Sequence, residues 1–247
     1  MKKTYGIERE RFIVNRKGQI VPQIGTLLPR VHEIARNNGL PESLFTYELF
    51  AGQIEDRTLP YGSLGELEKA LVLNDRVMSK AASQFGLAFD CSEVVEASRI
   101  TSLEVNPFDS RHKSIWQSAP LERRTAASIV AAVHVHISVA EGEAVKMLNF
   151  CRRDVIDDLI DIGDHSNRRR INAYRAMAET DGVPPIFSSF AEVLKYIDAK
   201  GGEKNVWDLV RYKRSTRTIE FRMFGTTQNV QEVLGYVKAC IDVAEAL

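Results

Sequence analysis

The chain has 247 residues and carries 33 lysines and arginines against 33 aspartates and glutamates, so its formal net charge is zero. That balance argues against a general electrostatic grip on nucleic acid. The three cysteines, Cys91, Cys151 and Cys240, have no CxxC spacing and read as buried thiols of a reducing compartment. Met1-Lys2-Lys3 runs straight into a strand pattern, with no apolar run long enough for a signal peptide or a membrane span, so a cytoplasmic protein is expected.

In chain order, residues 5–14 alternate as a strand, and Asn15-Arg16-Lys17-Gly18 reads as a turn into Gln19 to Pro22. Residues 27–38 are expected to be helical and to stop at Gly39 and Pro41. Tyr47 to Glu55 is strand-like, with Gly52 placed for a turn or bulge. Ser63, with Glu66 three residues on, caps a long amphipathic helix running to Gly86, and Leu87 to Cys91 returns to strand. Residues 95–125 have little periodicity and are expected to form a long loop, a natural active-site lid. A strand over 129–139 precedes helices over 141–161, 168–179 and 189–199. Trp207 to Tyr212 and Thr216 to Met223 pair as a hairpin, and a helix over 228–246 closes the chain. The expected fold class is α+β, a curved and mostly antiparallel sheet with helices on its outer face.

Three strand segments share one pattern. Glu8 and Glu10 in Gly6-Ile7-Glu8-Arg9-Glu10, His134 and His136 in Val133-His134-Val135-His136-Ile137, and Glu220 and Arg222 in Thr218-Ile219-Glu220-Phe221-Arg222 each fall on one face of a strand. Gln53 and Glu55 share a face in the same way, with Glu48 seven residues before Glu55. Any single segment is also compatible with an amphipathic strand facing water; the set points to a common wall. Two carboxylates about 4 Å apart repel by ~4 kcal/mol at an effective dielectric near 20. Convergence therefore requires divalent cations, and oxygen-rich ligation with one imidazole suits magnesium or manganese better than zinc. Because these residues span 8 to 220, they meet only if 1–247 folds as one catalytic domain.

In this order the motifs resemble the glutamate-cysteine ligase type 2 (GCS2-like) carboxylate-amine ligases of the glutamine synthetase superfamily: Gly6 to Glu10, Glu48 to Glu55 followed by Thr58, His134 to His136, and Thr218 to Arg222. The chain departs from the pattern where Val133 and Ser138 replace glycines. The resemblance implies a glutamine synthetase-like catalytic domain that uses ATP and Mg2+ or Mn2+ to form an amide bond through an acyl-phosphate. The substrates would be a small-molecule carboxylate, glutamate or another amino acid, and an amine. It implies one metal on Glu10, Glu48 and Glu55, and a second on Glu8, His134 and Glu220. His136 and Arg222 would lie at the nucleotide phosphates, with Arg222 and Glu55 as catalytic groups. Members continue with about a hundred further residues of helix, so a second copy of the chain is expected to cover the open side of the sheet.

The run Arg168-Arg169-Arg170 is either a solvated helix start or the source of one inward guanidinium that holds a carboxylate or phosphate bidentately. By the resemblance Arg168 is the inward one. Two other readings share these carboxylates: a metal-dependent phosphohydrolase, and a non-catalytic binding protein on a ligase fold. Retention of all six expected metal ligands favours the ligase.

Overall fold

The computed structural model describes residues 3–247; Met1 and Lys2, which lead into the first strand by sequence, lie outside them. The strands are β1 Tyr5–Val14, β2 Phe45–Tyr47, β3 Gln53–Arg57, β4 Ala88–Asp90, β5 Ala132–Ser138, β6 Val210–Lys213 and β7 Thr218–Gly225. The helices are α1 Ile24–Asn37, α2 Leu64–Ser83, α3 Ser110–Ser118, α4 Leu121–Ser128, α5 Glu141–Phe150, α6 Arg153–Gly163, α7 Arg169–Ala178, α8 Phe190–Ala199 and α9 Val230–Glu245. One antiparallel sheet runs in the order β2-β3-β1-β5-β7-β6, with β4 added beside β1. The α+β architecture expected from the sequence is present.

Alternation decides which side is core. Ile7, Val133, Val135, Ile137, Ile219 and Phe221 point to the outer face and are at most 1% exposed, packed with residues of α2, α5, α6, α8 and α9. Burying each such side chain contributes roughly 1.5–3 kcal/mol. A second cluster packs α1 and the rest of α2 against Ile13, Phe45 and Ile54. On that same outer side β1 carries two arginines. Arg9 donates to Asp56 and Asp75, Asn74 donates to Asp56, and Arg11 pairs with both acids, all against α2.

Helix signals read from the sequence match closely in places. Ser63 caps α2 through the Glu66 N–H, and Gly18 and Gly39 take positive φ where the turn and the helix stop were expected. Gly52 is required by close approach, since a Cβ there would meet the Phe50 ring at 2.4 Å.

Three expectations change. The helix expected over 141–161 breaks into α5 and α6 at Cys151 and Arg152, which lets one buried face carry Met147 and Leu148 and the next carry Ile156 and Ile160. The segment 95–125 is not a plain loop: Asp109 caps α3 through the Arg111 and His112 N–H groups, and α4 follows directly. Its Trp116 is buried with Phe12, Phe50 and Ala131 on the inner side of the sheet. Nor are all helices on the outer face, for α4 and α7 pack together over the inner one, where Ala127, Arg170, Tyr174 and Met177 line a cavity. Among the described residues no helix is long and apolar enough to cross a membrane. Cys151 and Cys240 are buried thiols and Cys91 is half-buried.

Candidate active site

Strand pairing assembles the inner face. Glu8 lies opposite Arg57 on β3 and His134 on β5, while Glu10 lies opposite Glu55. His136 is paired with Glu220, which in turn faces Arg211 on β6. Between Val133 and Val135 the β5–β7 register shifts, so that Arg222 and Met223 face the single residue His134. This bulge keeps Phe221 and Phe224 in the outer core while Arg222 reaches the inner site. Glu48 comes from the turn before β3.

Ligand atoms of Glu10, Glu48 and Glu55 lie within 4.8 Å of one another, and so do those of Glu8, His136 and Glu220 and those of Glu8, Glu55 and His134. The first group is the expected Glu10-Glu48-Glu55 set. For the second, the imidazole grouped with Glu8 and Glu220 is that of His136, whereas His134 is shared: its Nδ1 is 3.4 Å from Glu8 and 3.5 Å from Glu220, and its Nε2 is 3.7 Å from Glu10. His134 thus bridges the two groups.

Electrostatics divides the glutamates into two kinds. Burial and the neighbouring Glu55 push the Glu10 carboxyl up to about 8, and burial with Glu10 pushes Glu48 up to about 7. Burial together with Glu8 and Glu48 holds Glu55 well above the usual range. For Glu8 burial acts upward too, but His136, His134 and Lys213 outweigh it and the carboxyl sits well below the usual range. Glu220 is lowered likewise, since Arg211 and Arg222 overcome its burial. Burial pushes His134 down to about 4, which keeps its imidazole neutral and able to act as a ligand. The His136 Nε2 atom is buried without a hydrogen-bond partner. Carboxylates whose mutual repulsion raises their pKa, beside an unpartnered imidazole nitrogen, fit hard divalent cations such as magnesium or manganese.

The basic side chains complete the site. Arg211 grips Glu220 through two hydrogen bonds of 2.6 and 3.2 Å. Arg222 donates to the Tyr174 hydroxyl at 3.0 Å and stacks over the Tyr174 and Trp207 rings. Its position beside Glu220, 3.5 Å away, agrees with the strand pattern. Arg168 does not reach the site: its side chain is 41% exposed and pairs with Asp157 and Asp161 of α6. The inward arginine is Arg170, 2% exposed, which donates to the Met223 carbonyl and lines the cavity with Arg222. Asn167 and Arg168 both adopt left-handed backbone before α7, which turns the helix start by an amount that no helical phase read from the sequence could anticipate. Arg57, Arg211 and Lys213 were also missed. Their signal was present, as Arg57 stands two residues after Glu55, and Arg211-Tyr212-Lys213 repeats the i, i+2 pattern on β6.

A cleft of about 500 Å³ opens over Glu8, Glu55, Lys213 and Glu220, with Arg111 and His112 on its rim. A smaller, more enclosed cavity of about 100 Å³ lies behind Glu10 and Glu48, walled by Leu49, Met177, Trp207, Arg170 and Arg222. A larger hollow of about 720 Å³ beside α8 has no cluster of metal-ligating side chains, so chemistry rather than volume selects the inner cleft.

No family model matches the chain. Among curated proteins it is 29% identical, over 95% of its length, to "Putative glutamate--cysteine ligase 2" of Rhodopirellula baltica. It is 25% identical, over 79% of its length, to "Putative glutamate--cysteine ligase 2-3" of Rubrobacter xylanophilus. The chain spans 66% and 54% of the lengths of these two relatives. Among solved structures, a bifunctional glutathione synthetase from Pasteurella multocida superposes on 98% of the chain and 38% of its own, with a TM-score of 0.62 and 15% identity. Plasmodium falciparum glutamine synthetase superposes on 99% of the chain and 52% of its own, with a TM-score of 0.52 and 12% identity. In sequence the chain is similar to the two proteins named as putative type 2 glutamate–cysteine ligases, and in fold it is similar to a glutathione synthetase and a glutamine synthetase.

Proposed function

We propose that the chain is an ATP-dependent carboxylate–amine ligase that forms an amide bond through an acyl-phosphate. The observation that carries this reading is the pair of adjacent ligand groups, Glu10-Glu48-Glu55 and Glu8-His136-Glu220, joined by His134. A carboxylate is a poor electrophile, and bringing it to the γ-phosphate of ATP joins two anions. Magnesium or manganese on these groups would neutralise both and hold the phosphates in line.

The residues divide the work by position. The small cavity behind Glu10 and Glu48, with Arg170 and Arg222 in its wall, suits the carboxylate substrate, since guanidinium groups bind carboxylates through matched forks. A glutamate-sized acid would fill it. The cleft over Glu8, His134 and Glu220 suits the nucleotide phosphates. Arg222 stands between the two, where the acid oxygen attacks the γ-phosphorus and ADP departs, and its charge would stabilise the phosphoryl group in transit. The amine nitrogen then attacks the acyl carbon, phosphate leaves and the amine gives up a proton; Glu55, which lines the open cleft beside Glu8, is the candidate to take it. Water must be kept from the acyl-phosphate, and Tyr174, Trp207 and Met177 enclose that side.

The test is an ADP-release screen over amino acids and amines with ATP and magnesium. The ligase reading expects ADP release that requires both an acid and an amine, with the amide as a product. Phosphate release without an amine would favour a phosphohydrolase, and no turnover with intact nucleotide binding would favour a non-catalytic protein.

A further inference from the structure

Three nitrogen atoms from three strands lie around one oxygen. Glu8 Oε1 accepts from Lys213 Nζ of β6 at 3.0 Å, and it lies 3.5 Å from Arg57 Nε of β3 and 3.5 Å from His136 Nε2 of β5. Of the three only Lys213 donates to it: the Arg57 Nε–H is given to Glu55 Oε1, and His136 Nε2 has no hydrogen-bond partner. The other Glu8 oxygen is 3.4 Å from His134. Lys213 and Arg57 reach the site from opposite sides of the β1–β5–β7 wall and both line the open cleft, whereas Arg170 and Arg222 line the closed cavity. A divalent cation on Glu8 would compete with Lys213 and Arg57 for the same oxygen and repel both. An anion lying between the cation and these two side chains removes the conflict.

We infer that Lys213 and Arg57 are a phosphate clamp that closes on the β- and γ-phosphates of the nucleotide from both sides of the Glu8 centre, a role that rests on the ligase reading above. Two features support a clamp over a structural ion pair. Glu220, by contrast, is held by Arg211 in a two-bond fork whose Nη1 is also tied to the Glu203 and Val206 carbonyls, so Arg211 is fixed. Lys213 has a flexible stem and its Nζ has one hydrogen-bond partner, and the Arg57 side chain, 42% exposed, is held among the described residues only by Glu55 and the nearby Glu8, the carboxylates that a cation would engage, so both can move to a ligand.

The experiment compares three probes on the whole chain: a nonhydrolysable ATP analogue with magnesium, AMP, and Mn2+ alone, each titrated by calorimetry. Lys213→Met and Arg57→Met should each weaken the analogue by about tenfold or more, the loss of a charge-assisted contact. AMP, which lacks the two outer phosphates, should bind unchanged. Mn2+ alone should bind as tightly as before or more tightly, because a competing cation has been removed, and Lys213→Arg should recover most of the analogue affinity. A clamp is ruled out if analogue affinity is unchanged while Mn2+ still binds, if AMP weakens as much as the analogue, or if Mn2+ affinity falls in the variants, since the side chains would then be holding Glu8 in place. Wild-type protein that binds neither Mn2+ nor the analogue overturns the ligase reading itself, and the clamp with it.

Discussion

Glu10 and Glu220 are both glutamates of the inner wall, yet their surroundings give them opposite energetic characters. Glu10 is raised to about 8 by burial and by Glu55, so its charge is a cost that a cation must offset. Replacing it by Gln removes repulsion: in chelator the melting temperature should hold or rise, while Mn2+ affinity falls and turnover drops by roughly 10²-fold or more. Glu220 instead balances Arg211 and Arg222 in the wall. Repulsion alone would make Glu220→Gln equally harmless to the fold, but leaving two arginines without their partner should cost about 3 kcal/mol by chemical denaturation. A Glu10→Gln variant that melts much earlier than wild type would mean that Glu10 is structural. The same shifts set a pH dependence. Folded Glu10 and Glu48 retain protons up to about 8 and about 7 that the unfolded chain sheds near its ordinary carboxylate range, so unfolding releases protons. Stability in chelator should therefore fall as pH rises through this range to about 8, and level off above it once both states have shed the protons. Between about 4 and its ordinary value of 6.5 the lowered His134 works in the opposite direction, since the unfolded state takes up its proton first, so the carboxyl effect is read most cleanly from about 6.5 to 8. Mn2+ affinity should rise over the same window because the ion displaces those protons. Melting scans and titrations from pH 6.5 to 9 check both, and a metal-free melting temperature that climbs between 6.5 and 8 contradicts the raised carboxyls. These characters were not legible in the sequence, where Glu10 and Glu220 look alike; only the pairing of β6 with β7 puts Arg211 against one and not the other.

Strand parity was the legible part of the elements. The alternation in Gly6 to Glu10, Val133 to Ile137 and Thr218 to Arg222 sorts ligands from core correctly on β1, β5 and β7, because a period of two leaves no freedom once one face is buried. Helical phase was less legible. Nothing between Glu141 and Asp161 is a Gly142-independent breaker such as proline, so the bend at Cys151 is imposed by packing on the sheet, and α3 hides in a stretch whose main apolar anchor is Trp116. The reverse of the site was also hidden, since arginine on a core face breaks the usual pattern. Arg9, between Glu8 and Glu10, pairs directly across β1–β3 with Asp56, which adjoins Glu55. This back-to-back arrangement ties the register of two ligand-bearing strands to one buried ion pair. Arg9→Met alone should cost about 3 kcal/mol, by leaving buried Asp56 to Arg11 and Asn74, whereas Arg9→Met with Asp56→Leu, in which Arg11 keeps Asp75, should recover most of that loss. Denaturant unfolding of the single and double variants measures the coupling. Equal costs for the two would show that Asn74 and Asp75 hold the register without the pair.

At the scale of the whole molecule, the site is an account of topology. The candidate ligands at positions 8, 10, 55, 134, 136 and 220 come from four neighbouring strands, with Glu48 from the turn beside them, so their grouping is lost when the sheet comes apart. The carboxylates of β1 and β3 belong to the first quarter of the chain and Glu220 to the last, which is why local sequence patterns could name candidates but not their grouping; both imidazoles reach the Glu8–Glu220 pair because β5 sits between β1 and β7. A ligand held by such a set should stabilise the fold globally. With Mn2+ and a nonhydrolysable ATP analogue at about 100 times their dissociation constants, the gain should be ~2.7 kcal/mol. For a chain of this length that is a rise of roughly 5–10 °C in melting temperature. Chelator should erase it. Hydrogen exchange should slow together in β1, β3, β5 and β7, because opening any one of them breaks a ligand group. Slowing confined to the β6–β7 hairpin, with β1 and β3 unchanged, would mean that the nucleotide is held by Arg211 and Lys213 without the carboxylate wall, and the two ligand groups would no longer describe how this chain binds it.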